Sequence, residues 1–202
     1  MLLLVNVFQF IEINKLPKTK EVEIITVVTE EVPIIMYVKA QENAWERDIP
    51  LDKDIQKFAW ELSEENDIAY DMILAVMYAE SRFNVNATNN NTNGTTDKGL
   101  MQLNSGYHEW QAELAGIEYS EFDPYNPYHN ITAGVAVLVH YRDYWIAQGI
   151  TSQEELFKYT LNSYNMGIGG FRTYARTTGS ISRSYNRNIL DYKIQLETEG
   201  MI

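Results

Sequence analysis

The chain has no cysteine in 202 residues. That excludes disulfide scaffolds, thiol nucleophiles and cysteine-ligated zinc. Histidine is scarce: His108, His129 and His140 are the only three, which leaves little for a histidine-rich metal site. Basic residues are outnumbered, with 16 Lys and Arg against 28 Asp and Glu and a net charge of −12. Nonspecific nucleic-acid binding needs a positive footprint, so no nucleic-acid partner is expected. Long apolar runs are missing too. Met1–Phe10 reads MLLLVNVFQF, short of the ~20 residues that span a bilayer. No Lys or Arg precedes it, and no clear small-residue cleavage site follows, so the pattern of a signal peptide is incomplete. The run reads either as a strand or loose end, or as the tail of an export anchor that begins upstream. The second reading leaves room for a membrane tether.

What remains is ordinary globular material, 45% hydrophobic and 22% charged. At ~150 residues per domain the length suits one domain with an appendage, and a core of that size needs no covalent staples. Glu21–Val38 is rich in Val and Ile, partly alternates with Glu and Thr, and carries Pro33. This is β-prone material with a breaker, fit for an edge hairpin or an extended stalk. Composition changes over Gln41–Arg47. Residues 1–47 are therefore read as stalk and 48–202 as the main domain.

From Asp52, a candidate N-cap, the apolar spacing turns helical. Helices are expected to about Glu65, then over Ala69–Arg82, Asn130–Ala147, Ser152–Asn162 and Ser184–Glu197. Short helical turns are expected between Leu100 and Leu114. Within this helical body the one strand-like stretch is the polar Thr88–Thr96. The fold class is mostly α.

In the second helix Ile73, Val76, Met77 and Glu80 fall at i, i+3, i+4 and i+7, on one face. A carboxyl group ending an apolar stripe is costly to ionise and can serve as a general acid. The same spacing also suits a glutamate that swings to solvent at the last turn. Asn86–Asp97, NATNNNTNGTTD, has the Asn, Gly and Thr density of turns. Lys98–Ser105, KGLMQLNS, follows directly, its Gly preceding a core contact.

The order Glu80-Ser81, Phe83, Asn-rich loop, Gly99-Leu100-Met101-Gln102-Leu103-Asn104 resembles the catalytic region of the lysozyme superfamily. More closely, it is similar to the lytic transglycosylases with the soluble-lytic-transglycosylase (SLT) domain. Asn130-Ile131-x-x-Gly134 resembles that family's Asn-Ile-x-x-Gly helix start, and Ser163-Tyr164-Asn165-Met166-Gly167 its Ala-Tyr-Asn-Ala-Gly segment. The resemblance covers about Asp48 to Leu196.

It implies a lysozyme-like helical domain with a glycan groove between two lobes, acting on peptidoglycan strands. Glu80 matches the family's single acid/base. Tyr164 matches the tyrosine whose hydroxyl hydrogen-bonds that glutamate, and Asn165 the position that supports it. Ser81, Met101 and Gln102 match residues placed at or lining the substrate groove. No cofactor or metal is expected, and Asp52-x-Asp54 lacks the Gly and Glu of a calcium loop. The substrate implies an extracytoplasmic location, at the cell wall or cell surface.

One departure matters. Asn91-x-Asn93-Gly94-Thr95-x-Asp97 before the Gly-Leu-Met-Gln motif is similar to animal-type lysozymes and to transglycosylases attached to secretion and conjugation systems. Such machinery is a candidate partner. In the lysozymes, the position of Asp97 is the second carboxylate of a retaining hydrolase; that pair is the standard example of two carboxyls separated by environment. Asp97 can equally be a turn residue that closes the loop. Three readings result: a transglycosylase using Glu80, a muramidase using Glu80 and Asp97, and a non-catalytic glycan-binding module. Tyr107, Trp110, Tyr125 and Tyr128 are candidate sugar platforms, and His140 reads as a core histidine.

Overall fold

The computed structural model describes residues 26–28, 33–35 and 44–199. The apolar run Met1–Phe10 lies outside them. In the N-terminal unit, strands β1 (Thr26–Val28) and β2 (Pro33–Ile35) form an antiparallel hairpin with Val27 opposite Ile34. It falls within the β-prone stretch, with Pro33 opening a strand, where its missing N–H is tolerated.

The second unit begins at Trp45. Its helices are α1 (Lys53–Asn66), α2 (Tyr70–Ser81), α3 (His108–Leu114), α4 (Pro127–Ala147), α5 (Gln153–Thr178) and α6 (Ser184–Glu199). Between α2 and α3 lies a small antiparallel sheet in the order β3 (Thr88–Asn90), β4 (Thr96–Lys98), β5 (Leu103–Asn104). The mostly α expectation therefore holds. The sheet is larger than the sequence suggested, because strands of two or three polar residues have no room to show alternation.

Helix α2 is the centre. Ile73, Leu74, Ala75, Val76 and Met77 are all fully buried, so the helix is apolar all round rather than striped. α1, α4 and α6 supply the surrounding side chains, among them Ala59, Ile131, Leu138, Ile189 and Leu196. Each large apolar side chain buried there contributes about 1.5–3 kcal/mol. The chain leaves α2 through two consecutive left-handed residues, Arg82 (φ 54°) and Phe83 (φ 63°). This sharp exit turns Phe83 back into the core and leaves Glu80 on the last turn of α2.

The fourth expected helix was too short. α5 runs past Asn162 to Thr178, with one non-helical residue, Gly167, at φ 70° and ψ 160°. Three glycines at 167, 169 and 170 hid the second half.

Candidate active site

A cleft of about 840 Å³ opens beside the end of α2. Its walls come from α2 (Glu80), the β3–β4 turn (Asn91, Asn93), β4 (Asp97), α3 (Trp110), α4 (Tyr141) and the kink of α5 (Tyr164, Asn165).

Glu80 does not swing to solvent. It faces this cleft, and burial pushes its carboxyl up to about 7. A carboxylate on the last turn of a helix also meets the negative end of the helix dipole. The Tyr185 hydroxyl donates a hydrogen bond to Glu80 Oε1 at 2.5 Å. That bond favours the charged form and partly offsets the burial, while nearby Asp97 raises the carboxyl a little further. Burial and the neighbouring Glu80 hold the Tyr185 hydroxyl well above its usual range, so it remains a donor.

Asp97 shares the cleft with Glu80. It stands on β4 opposite Asn104 of β5, and Asn104 Nδ2 donates to its Oδ1 at 2.7 Å. The sheet thus presents this second carboxylate to the same cleft. Gln102 also lines the cleft. Its amide N–H groups go to the carbonyls of Ala87 (3.2 Å) and Gly99 (2.9 Å), which ties its own turn to the start of β3. Asn165 lines the cleft at an exposed point of α5 and accepts a hydrogen bond from Arg183 at 2.8 Å.

Three expectations need correction. Tyr164 lines the cleft, but its hydroxyl donates to the Met101 carbonyl at 2.8 Å rather than to Glu80. Tyr185, at the start of α6, holds the glutamate instead. Met101 is fully buried behind the cleft and is not among the residues that line it. Ser81 is buried as well, its hydroxyl bonded to the Met77 carbonyl at 3.0 Å one turn back. Among the candidate sugar platforms, Tyr107 and Trp110 line the cleft. Tyr125 instead pairs with the Thr88 hydroxyl, and Tyr128 packs edge-on against Phe58. His140 is at the cleft wall, edge-on to Trp110 at 5.3 Å.

The motif residues behind the cleft form a clamp. Asn130 is fully buried at the start of α4. Its Nδ2 donates to the carbonyls of Lys98 (2.9 Å) and Pro124 (2.8 Å), and its Oδ1 accepts the Met101 N–H at 2.8 Å. Gly99 sits at φ 75°, and a Cβ there would come within 2.3 Å of Asn130 Nδ2 and 2.4 Å of the Pro124 carbonyl. One turn along α4, a Cβ on Gly134 would come within 2.2 Å of Met101 Sδ. Met101 is thus held at its N–H, its carbonyl and its side chain. The clamp fixes the segment that joins Asp97 to Gln102.

Comparison with known proteins agrees with this geometry. A helical body with a half-buried glutamate in a cleft shared by a small antiparallel sheet is lysozyme-like. The model of the transglycosylase SLT domain matches residues 58–186, and the chain belongs to that family. Among solved structures, an inactive mutant of lytic transglycosylase Slt from Pseudomonas aeruginosa is similar over 73% of this chain and 25% of its own, with a TM-score of 0.56 and 20% identity. The 70 kDa soluble lytic transglycosylase Slt70 from Escherichia coli is similar over 72% of this chain and 24% of its own, with a TM-score of 0.54 and 19% identity. The chain therefore spans about a quarter of the length of these structures. No curated protein matches it. Among the described residues no helix is long and apolar enough to cross a membrane.

Proposed function

We propose that the protein is a peptidoglycan lytic transglycosylase in which Glu80 is the single acid and base. The observation that carries this reading is a cleft-lining carboxyl group raised to about 7. A group with that affinity for protons holds one near neutrality and gives it up at low cost, so it can serve both halves of one reaction.

In the first half Glu80 donates its proton to the oxygen joining N-acetylmuramic acid to N-acetylglucosamine. The C1–O bond breaks and the N-acetylglucosamine leaves as an alcohol. Positive charge develops at C1, where the substrate's own N-acetyl oxygen is available to stabilise it. In the second half the Glu80 carboxylate takes the proton of the muramic C6 hydroxyl. That oxygen bonds to C1, and a 1,6-anhydro sugar results without consuming water. Glu80 ends protonated, as it began. The Tyr185 hydroxyl suits this cycle because it supports the carboxylate between the two halves.

A hydrolytic alternative rests on Asp97, whose carboxylate lines the same cleft. In a muramidase it would act as nucleophile or cation stabiliser, and water would replace the C6 hydroxyl. An extracytoplasmic site of action, a stalk over residues 1–47, a membrane tether and association with secretion or conjugation machinery belong to the same proposal. They are supported by the substrate and by the β-prone N-terminal composition. The test of the reading is release of soluble glycan from purified peptidoglycan by the full chain. The parent should release it and Glu80→Gln should not; a folded parent that binds wall glycan without cutting it leaves the binding module.

A further inference from the structure

The Tyr185 hydroxyl reaches Glu80 from the first turn of α6, so its aim depends on how that turn is anchored. On the inside two buried asparagines hold it. Asn162 of α5 and Asn186 of α6 each donate through Nδ2 to the Ile181 carbonyl at 2.9 Å. Asn186 Oδ1 also accepts the Arg183 N–H at 3.1 Å. On the outside the Arg183 side chain crosses to α5. Its Nη1 donates to Asn165 Oδ1 at 2.8 Å, and its guanidinium lies 5.3 Å from the centre of the Tyr174 ring. The non-helical residue Gly167 falls between these two contacts. Arg183 therefore bridges three pieces of chain: α5 before its break, α5 after it, and the start of α6.

This arginine is not part of an ordinary surface ion pair. No Asp or Glu occurs between Glu155 and Asp191, and among the described residues no carboxylate pairs with it. Its charge acts instead on Tyr185. Burial and Glu80 push that hydroxyl up, and Arg183 opposes them. The other groups acting on the Glu80–Tyr185 pair are Asp97 from β4 and Tyr164 from α5. His140 and Tyr141 of α4 line the same cleft. Arg183 brings the one permanent positive charge among them.

We propose that Arg183 is a positioning residue: by joining Asn165 and Tyr174 to the first turn of α6, it fixes the Tyr185 hydroxyl on Glu80. This rests on the reading of Glu80 as the acid and base. It adds that the acid is tuned by a side chain that does not touch it. A hydrogen bond weakens steeply as its angle and distance loosen. A slack α6 turn therefore supports the carboxylate less, and Glu80 keeps its proton to higher pH.

The test reads Glu80 directly and needs no glycan. The full chain is labelled with 13C at its glutamate carboxyls, and the Glu80 signal is the one missing from Glu80→Gln. It is followed by NMR from about pH 4 to about pH 9. Arg183→Met removes both the charge and the tie, whereas Asn165→Ala removes the tie and leaves the charge. Each should raise the Glu80 midpoint by about half a pH unit, short of the one to two units expected when Tyr185→Phe removes the whole bond. In a Tyr185→Phe background neither should raise it further. Asn165 is exposed, so its variant serves if Arg183→Met does not fold. An unmoved midpoint in both folded variants overturns the assignment. So does a rise with Arg183→Met alone, which would be an effect of charge, or a rise that persists without the Tyr185 hydroxyl. In each of these cases a raised parent midpoint leaves the acid/base reading standing. A parent Glu80 that titrates at its ordinary value of 4.5 brings down that reading and this assignment with it.

Discussion

The Tyr185 hydroxyl and the Glu80 carboxyl meet across 105 positions of sequence, one at the start of α6 and the other at the end of α2. The packing of α6 against α2, through Ile189 and Leu196 on the apolar body of α2, is what brings them together. Tyr185→Phe removes a hydrogen bond that favours the ionised form. The Glu80 carboxyl should then rise above about 7, by about one to two units if a bond to a charged group is worth ~1.5–3 kcal/mol. Activity needs the protonated acid at the first step, so the descending limb of kcat/KM against pH should move to higher pH. A limb that stays in place would show that the bond does not tune the acid.

Asp97→Asn should move the same limb the other way. Asp97 raises the Glu80 carboxyl through its negative charge, so neutralising it lowers that value and brings the decline to lower pH. If Glu80 is the only catalytic carboxyl, the variant keeps cleaving. Complete loss of cleavage with an intact fold would instead support the hydrolytic pair.

Glu80 should cost the protein stability at neutral pH. Its carboxyl titrates at about 7 when folded, against an ordinary value of 4.5. Between these values the folded state binds more protons than the unfolded state, so stability falls as pH rises through the window and levels off above it. The fall amounts to at most about 3 kcal/mol. Glu80→Gln abolishes it. Thermal melts at pH 5 and pH 8 should show the parent losing more Tm than the variant, and equal losses would contradict a raised carboxyl.

The clamp behind the cleft is expected to act on stability first. Asn130→Ala leaves the Met101 N–H and the Lys98 and Pro124 carbonyls without their partner. A loss of about 2–4 kcal/mol is expected in denaturant unfolding. Tyr164→Phe frees only the Met101 carbonyl and should cost about 1–2 kcal/mol. Because its hydroxyl is given to that carbonyl, Tyr164→Phe should move the pH limb less than Tyr185→Phe does. The reverse ranking would return Tyr164 to the role the family resemblance implied.

The contrast between these two tyrosines marks how far the sequence could be read. Helices α1, α2, α4 and α6 showed in the sequence pattern, although the Asp52 side chain makes no capping bond and α4 begins at Pro127 behind an Asn126 cap rather than at Asn130; the mostly α class followed from them. Glu80, Gln102 and the Asn130 and Gly134 motif were visible because short-range order preserves them. Tyr185 was not, since nothing in Ser184–Arg187 ties it to residue 80 until α6 docks on α2. Met101 and Ser81 were placed at the groove by the family resemblance alone. Adjacent residues on a turn or helix face different ways, and both lie behind the wall.

The most direct measurement is mass spectrometry of the sugars that the full chain releases from purified peptidoglycan, with the parent and Glu80→Gln side by side. A single acid and base at Glu80 predicts 1,6-anhydro-muramic ends from the parent and none from the variant. Reducing ends, heavier by one water, or anhydro ends that persist in a folded Glu80→Gln, would contradict it.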